Sequence, residues 1–304
     1  GESGRTQLNQ YTRYLTVIIL LMQGPAYLVN LKVQMGSALF PSGWLFIVSS
    51  TIVLAAGSMF IMWLGERITD KGIGNGISFI ILVGIIARLP LAFAAEFTSR
   101  LASKQGGLVM FLIEIIFLLA VIAAAILLVQ GTRKVPVHKQ YGGARQYIPL
   151  KVNTAGVMPI IFAQAIMFIP ITIAGFSASN ASSFWSSFMS MTGFWYNFVF
   201  AILIILFTYF YTAITVQPTQ MAEDMKRNNG FIPGVKPGKK TADYLDSIMS
   251  RITLPGSIFL AIVAILPAFA QICGVSAEFS QFFGGTSLLI LVGVVLDTLQ
   301  QTAI

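Results

Sequence analysis

The stretch MWLGERITDKGIGNGISFIILVGIIARLP, residues 62–90, decides how this chain is read. It closes one apolar run, passes through a short charged turn ending in GIGNG (72–76), and opens a second apolar run carrying Arg88 and Pro90. Glycine and asparagine between two apolar runs punctuate the end of one helix and the start of the next. The glycines do not make a dinucleotide loop, because the third glycine of GxGxxG would fall on Ile77 and no strand precedes the turn. A membrane hairpin of two helices is the reading that remains.

The rest of the chain agrees. Of 304 residues, 56% are hydrophobic and only 10% charged, with a mean hydropathy of +0.81, whereas a soluble domain is about a quarter charged. A hydrocarbon core about 30 Å thick takes about 20 apolar residues per helical crossing. Eight crossings fit, at about 14–31, 43–64, 77–95, 107–129, 155–175, 196–216, 254–272 and 285–300. The third contains Arg88 and Pro90 and the seventh Pro267, so kinks or re-satisfied backbone groups are expected there. Gly1 stands in place of an initiator methionine and no cleavable signal follows, so both ends read as cut.

Loop charge sets the orientation. One set of alternate loops carries Arg5, Arg13, Arg67, Lys71, Arg133, Lys134, Lys139, Arg145, Lys151, Lys226, Arg227, Lys236, Lys239, Lys240 and Arg251. The other carries Lys32, Arg100 and Lys104. The basic set is expected to be cytoplasmic, which places residue 1 on that side. The net charge of +8 is therefore read as inward-facing loop charge before nucleic-acid affinity. GFSASNASSFWSSFMSMTGFW (175–195), uncharged and aromatic, suits an interfacial segment on the opposite side. In the long inward loop, QPTQMAEDMKRNN reads as a short helix, FIPGVKPGKK as a proline and glycine turn, and TADYLDSIMSRIT as a second helix.

Chemistry-bearing residues are few. One cysteine, Cys273, and one histidine, His138, exclude an internal disulfide and leave no donor set for a zinc enzyme, so no catalytic residue, metal or cofactor is assigned. GVKPGKKT (234–241) misses the phosphate-loop spacing. Intramembrane charges mark ion pathways, and the candidates are Arg88, Glu114 and Asp297. Glu114 and Asp297 fall near helix ends, where snorkelling or pairing explains them. Arg88 shares one face of its helix with Ile77, Ile81 and Gly84, and an arginine does not face lipid cheaply. That face is expected to look into protein or water.

The same stretch, 62–90, resembles the segment joining the fourth and fifth helices of the SecY family. IPLKVNTAGVMPIIFAQAIMFIP (148–170) is similar to the entry to that family's seventh helix, and GESGRTQLNQYTRY (1–14), FIPGVKPGKKTADYLDSIMSRITLPG (231–256) and FGGTSLLILVGVVLDTLQQ (283–301) match in order. The resemblance implies an all-α polytopic channel of two pseudo-symmetric halves, here with eight transmembrane helices. Residues 1–95 would complete the first half, the family's helices three to five. Residues 96–304 would form the second, helices six to ten, with cytoplasmic loops 130–153 and 217–253. The family's first two helices and its plug fall outside the chain.

The resemblance further implies a passive conduit for unfolded secretory proteins, with lateral release of hydrophobic segments into lipid, in a bacterial inner membrane. It places a pore ring at Ile77, Ile81, Ile161 and Ile290. It places two members of a polar lateral-gate cluster at Gln23 and Asn153, the third being a threonine on the absent second helix. It assigns partner docking to Arg133, Lys134, Lys139, Arg145, Lys236, Lys239 and Lys240. The implied partners are SecE and SecG subunits, the SecA motor ATPase or the ribosome, signal sequences, unfolded polypeptide and membrane lipid. Two departures stand out: Lys236 occupies a position where many members carry arginine, and the tip after VPV (135–137) is short. Competing readings are an ion-coupled small-molecule permease, which needs matched charges at mid-depth, and an intramembrane hydrolase, which needs a nucleophile and base there.

Overall fold

The computed structural model describes residues 2–35, 43–102, 107–139, 146–176, 190 and 192–302. Ten α-helices are defined among them: α1 Glu2–Met35, α2 Trp44–Lys71, α3 Gly76–Ala102, α4 Gly107–Gln130, α5 Met158–Phe176, α6 Phe194–Thr215, α7 Pro218–Arg227, α8 Lys239–Ile272, α9 Ala277–Ser280 and α10 Gly285–Thr302. Three strands, β1 Thr132–Lys139, β2 Gln146–Lys151 and β3 Gly230–Phe231, form one small antiparallel sheet in the order β2-β1-β3. Seven helices among the described residues are long and apolar enough to cross a membrane, and the expected fifth crossing corresponds to the shorter apolar helix α5. The protein is a multi-pass, mainly helical membrane protein.

Three expectations are corrected. The third crossing runs seven residues beyond its expected end at 95, to Ala102. Pro90 lies within it and does not end it, as neighbouring groups in a membrane bundle allow. The helix expected over TADYLDSIMSRIT and the crossing at 254–272 are one 34-residue helix, α8, with Pro255 inside. The expected loop 130–153 is a β-hairpin, so His138 sits in a strand. The interfacial segment 175–195 lies mostly outside the described residues.

Two compact units divide the chain, residues 1–81, 168–189 and 298–304 forming one, and 82–167 and 190–297 the other. In the first unit α1 and α2 pack antiparallel. Arg13 pairs with Glu66 at 2.7 Å at one end, and Gly24 lies against Thr51 further along, where a Cβ on Gly24 would come within 2.7 Å of the threonine methyl.

The turn that opened the sequence reading is a tight α2–α3 corner. The Thr69 hydroxyl donates to the Gly65 carbonyl at 2.9 Å and accepts the Gly76 N–H at 2.8 Å. Asn75 caps α3, its Oδ1 accepting the N–H groups of Ile77 and Ser78 at 3.1 and 3.4 Å. Gly76 is buried against the Gly65 carbonyl and Ile68, with no room for a Cβ. The glycines serve close backbone approach, a structural role that the nucleotide-loop pattern only imitates.

In the second unit Pro267 removes the hydrogen bond that the Val263 carbonyl would otherwise accept within α8. Gly284 packs directly on that carbonyl and within about 3 Å, by its missing Cβ, of Leu266 and Pro267. A cluster of Ala92, Ala270, Val275, Phe279, Phe282 and Phe283 closes the neighbouring space between α3, α8 and α9.

Candidate functional site

In the second unit the first turns of α5 and α10 meet in antiparallel register. The Thr286 hydroxyl donates to Oε1 of Gln164 at 2.7 Å. Two helical turns away, a Cβ on Gly293 would touch Val157 at 3.1 Å. These two contacts set the register, and they put Ile161 and Ile290 at the same level, about one turn from each contact. Ile161 is half-buried and Ile290 is buried.

Ile77 and Ile81 belong to the first unit. Both point from the first turns of α3, Ile77 with its stem against Gly65, and both remain exposed, at 45% and 39%. Gly84 and Arg88 continue the same face and are exposed as well. Arg88 falls at the middle of the 27-residue helix. The branched aliphatic face identified in the sequence is left exposed by the described residues.

Of the two gate residues, Gln23 is exposed on α1, next to the Gly24–Thr51 contact. Asn153 follows β2 in the second unit and is buried, with its Oδ1 lacking a hydrogen-bond partner among the described residues. An orphaned buried carbonyl oxygen costs about 1–3 kcal/mol, so it is a group poised to accept a bond.

The basic residues stand on a folded platform. Val135 and Val137 of β1 and Leu150 of β2 present one sheet face to Met225 of α7, to Ile232, and to Leu245, Ile248, Met249 and Ile252 of α8. Alternation along β1 puts these valines inward and leaves Lys134 on the opposite, exposed face. The turn bearing Lys236 is fixed by the Thr241 hydroxyl, which donates to the Lys236 carbonyl at 3.0 Å. Lys236, Lys239 and Lys240 are exposed around it. Lys139 ends β1, paired with Gly230, and Arg145 lies outside the described residues.

The sequence reading passed over one polar constellation. Arg100, counted as a loop residue, is in α3, where its Nε donates to Oε1 of Glu96 at 2.9 Å and its Nη2 to Glu114 of α4 and to the Gly274 carbonyl, the last at 2.8 Å. Glu96 also accepts the Ser276 N–H at 3.1 Å. Its signal was the spacing Glu96, Arg100, which is i, i+4 on a helix. On the same two helices Phe93 and Phe97 of α3 pack edge-on against Phe111 of α4. Matched charges thus exist within the helices, but Arg100 is two residues from the end of α3 and not at mid-depth, where a permease site would need them.

Seven long apolar helices among the described residues define a polytopic membrane protein. Comparison with known proteins specifies which. The SecY family model matches residues 1–299. The protein translocase subunit SecY of Chlamydia trachomatis is 38% identical over 99% of this chain and 72% of its own length, and that of Bacillus licheniformis is 40% identical over 99% and 73%. A solved protein-conducting channel superposes with a TM-score of 0.73 over 98% of this chain and 73% of that one, at 16% identity. The chain belongs to the SecY family.

Proposed function

We propose that the chain acts as the central channel subunit of a protein translocase, a passive conduit for unfolded polypeptide and not an enzyme. The observation that carries this reading is the family match over residues 1–299. Ile77, Ile81, Ile161 and Ile290 supply the aliphatic constriction. Branched side chains close around a chain of any sequence without hydrogen-bonding it, and when empty they dewet and exclude ions. Asn153, whose buried oxygen has no partner among the described residues, and Gln23 form the polar latch of a lateral gate through which hydrophobic segments enter lipid. An interhelical bond of this kind contributes about 0.6 kcal/mol, weak enough for a signal sequence to open.

As a translocase subunit the chain works with other translocon components. We assign SecE and SecG as the membrane partners, and SecA or the ribosome as the partner on the platform carrying Arg133, Lys134, Lys139, Arg145, Lys236, Lys239 and Lys240. The setting is a bacterial inner membrane with residue 1 and the platform on the cytoplasmic side, which the loop charges favour. The functional halves are residues 1–95 and 96–304. The compact units divide elsewhere, inside the uninterrupted helix α3.

The test is reconstitution of the full-length protein with its membrane partners and a motor ATPase in sealed vesicles. A secretory precursor becomes protease-protected only when ATP and the motor are present. Uptake of a small solute driven by an ion gradient, with no precursor protection, would establish the permease instead.

A further inference from the structure

α10 starts from a fixed base. Gly284 sits on the Val263 carbonyl that Pro267 leaves free in α8, with no room for a side chain. Gly285 then turns the chain through a left-handed φ of +67°, with Pro267 beside it. Thr286, the next residue, is thereby seated on α8, and its hydroxyl donates to Oε1 of Gln164 on α5 at 2.7 Å.

α5 is held differently on this side. It buries a stripe of Ile160, Ala163 and Met167, while Ile161 and Gln164 lie on the neighbouring, less buried face. Beside Gln164 is a cavity of about 160 Å³, walled also by Tyr196 and Phe200 of α6, Ala264 and Ala268 of α8, and Thr286. Where a cavity replaces close packing, its lining loses dispersion contacts, so the hydrogen bond carries more of the positioning there. The Gly293–Val157 contact, on the other side of the isoleucine level, limits how closely α5 and α10 approach. The Gln164–Thr286 bond resists their separation.

Ile161 precedes Gln164 by three residues and Ile290 follows Thr286 by four, so each isoleucine shares a helix face with the polar residue one turn away. A polypeptide passing the aliphatic level has to widen it, and the bond one turn away opposes the widening. We propose that Gln164 and Thr286 form a clasp between α5 and α10 whose release accompanies opening, so that Gln164 sets how strongly hydrophobic a segment must be to open the constriction. The clasp rests on the conduit reading and adds to it a residue that determines specificity. It is separate from Gln23 and Asn153, since both of its members lie in the second unit. A bond made in one of two states shifts their equilibrium by its own contribution, which for an interhelical side-chain bond corresponds to about threefold.

The experiment reconstitutes the full-length protein with its membrane partners and a motor ATPase in sealed vesicles and completes a double-mutant cycle. Q164L removes the acceptor and T286V the donor, each at similar volume. ATP-dependent protease protection is read for a secretory precursor with an intact signal and for the same precursor with one charge placed in the apolar stretch of its signal. Each single variant raises protection of the weakened precursor about threefold. Q164L/T286V raises it no further, and T286S, which keeps the hydroxyl, stays at the parental value. Protection of the intact precursor is equal in all. Parental values in both single variants, a double variant at roughly ninefold as independent effects would give, or T286S as high as T286V would each overturn the clasp. Loss of intact-precursor protection in the single variants would make the bond merely structural and overturn it as well. Failure of the parent to protect the intact precursor would instead overturn the conduit reading.

Discussion

Arg100 and Glu114 pair between α3 and α4, with only 14% and 4% of their side-chain surface exposed. The same guanidinium holds Glu96 and the Gly274 carbonyl, so one cation ties α3, α4 and the turn after α8 together. Removing one partner of a buried ion pair costs about 3–5 kcal/mol, since the other charge is left without compensation. Arg100→Ala strands two carboxylates and should lower the apparent melting temperature of the purified protein sharply. Arg100→Lys should fall between, because an ammonium lacks the fork that reaches several acceptors at fixed angles. Unchanged melting in Arg100→Ala would mean that the pair contributes nothing.

The α2–α3 corner makes a prediction by contrast. Gly76→Ala forces a methyl into the Gly65 carbonyl and should destabilise by about 1–3 kcal/mol. Gly57→Ala, where nothing lies within 4 Å, should be neutral or stabilise by up to about 1 kcal/mol, since alanine is the better helix former. Thermal unfolding of the two variants side by side reads the difference. Equal behaviour would remove the close-approach account of GIGNG.

Polar substitution at the aliphatic level should open an ion leak. With Ile161 and Ile290 at one height on antiparallel helices, Ile161→Ser and Ile290→Ser each wet the same layer of the conduit. Conductance of the reconstituted full-length protein in planar bilayers should rise in both, while Leu206→Ser, on an exposed face of α6, leaves it at the parental value.

The rigid turn at Lys236 predicts a salt-sensitive contact. Charge reversal of Lys236, Lys239 and Lys240 together should weaken motor or ribosome binding about tenfold at low salt, from roughly 0.2–1 kcal/mol per exposed charge. The difference should shrink in 0.5 M salt, as expected of screened surface charges. Lys236→Arg should strengthen binding if the partner presents a carboxylate or phosphate there.

Most of the fold was legible because apolar runs of about 20 residues have one solution in a bilayer, and GIGNG with Asn75 as cap marked the α2–α3 corner plainly. Two features escaped for physical reasons. Pro255 reads as a helix boundary, yet helix α8 passes through it, with Gly256 packed against the Val152 carbonyl beside it. The hairpin was hidden in a basic loop, although Val135 and Val137 alternate with exposed residues as a half-buried strand does. The Arg100 cluster was missed because Glu96 lay one residue past the expected end of its helix. Its partners Gly274 and Ser276 are brought in by tertiary structure alone.

The central claim is that a translocating chain passes Ile81, Ile161 and Ile290. With the exposed Cys273 changed to serine, single cysteines at those three positions of the full-length protein should each form a disulfide with a cysteine in a stalled secretory precursor, and a cysteine at exposed Leu206 should not. Absence of a crosslink at all three positions, with the precursor stably engaged, would contradict the account.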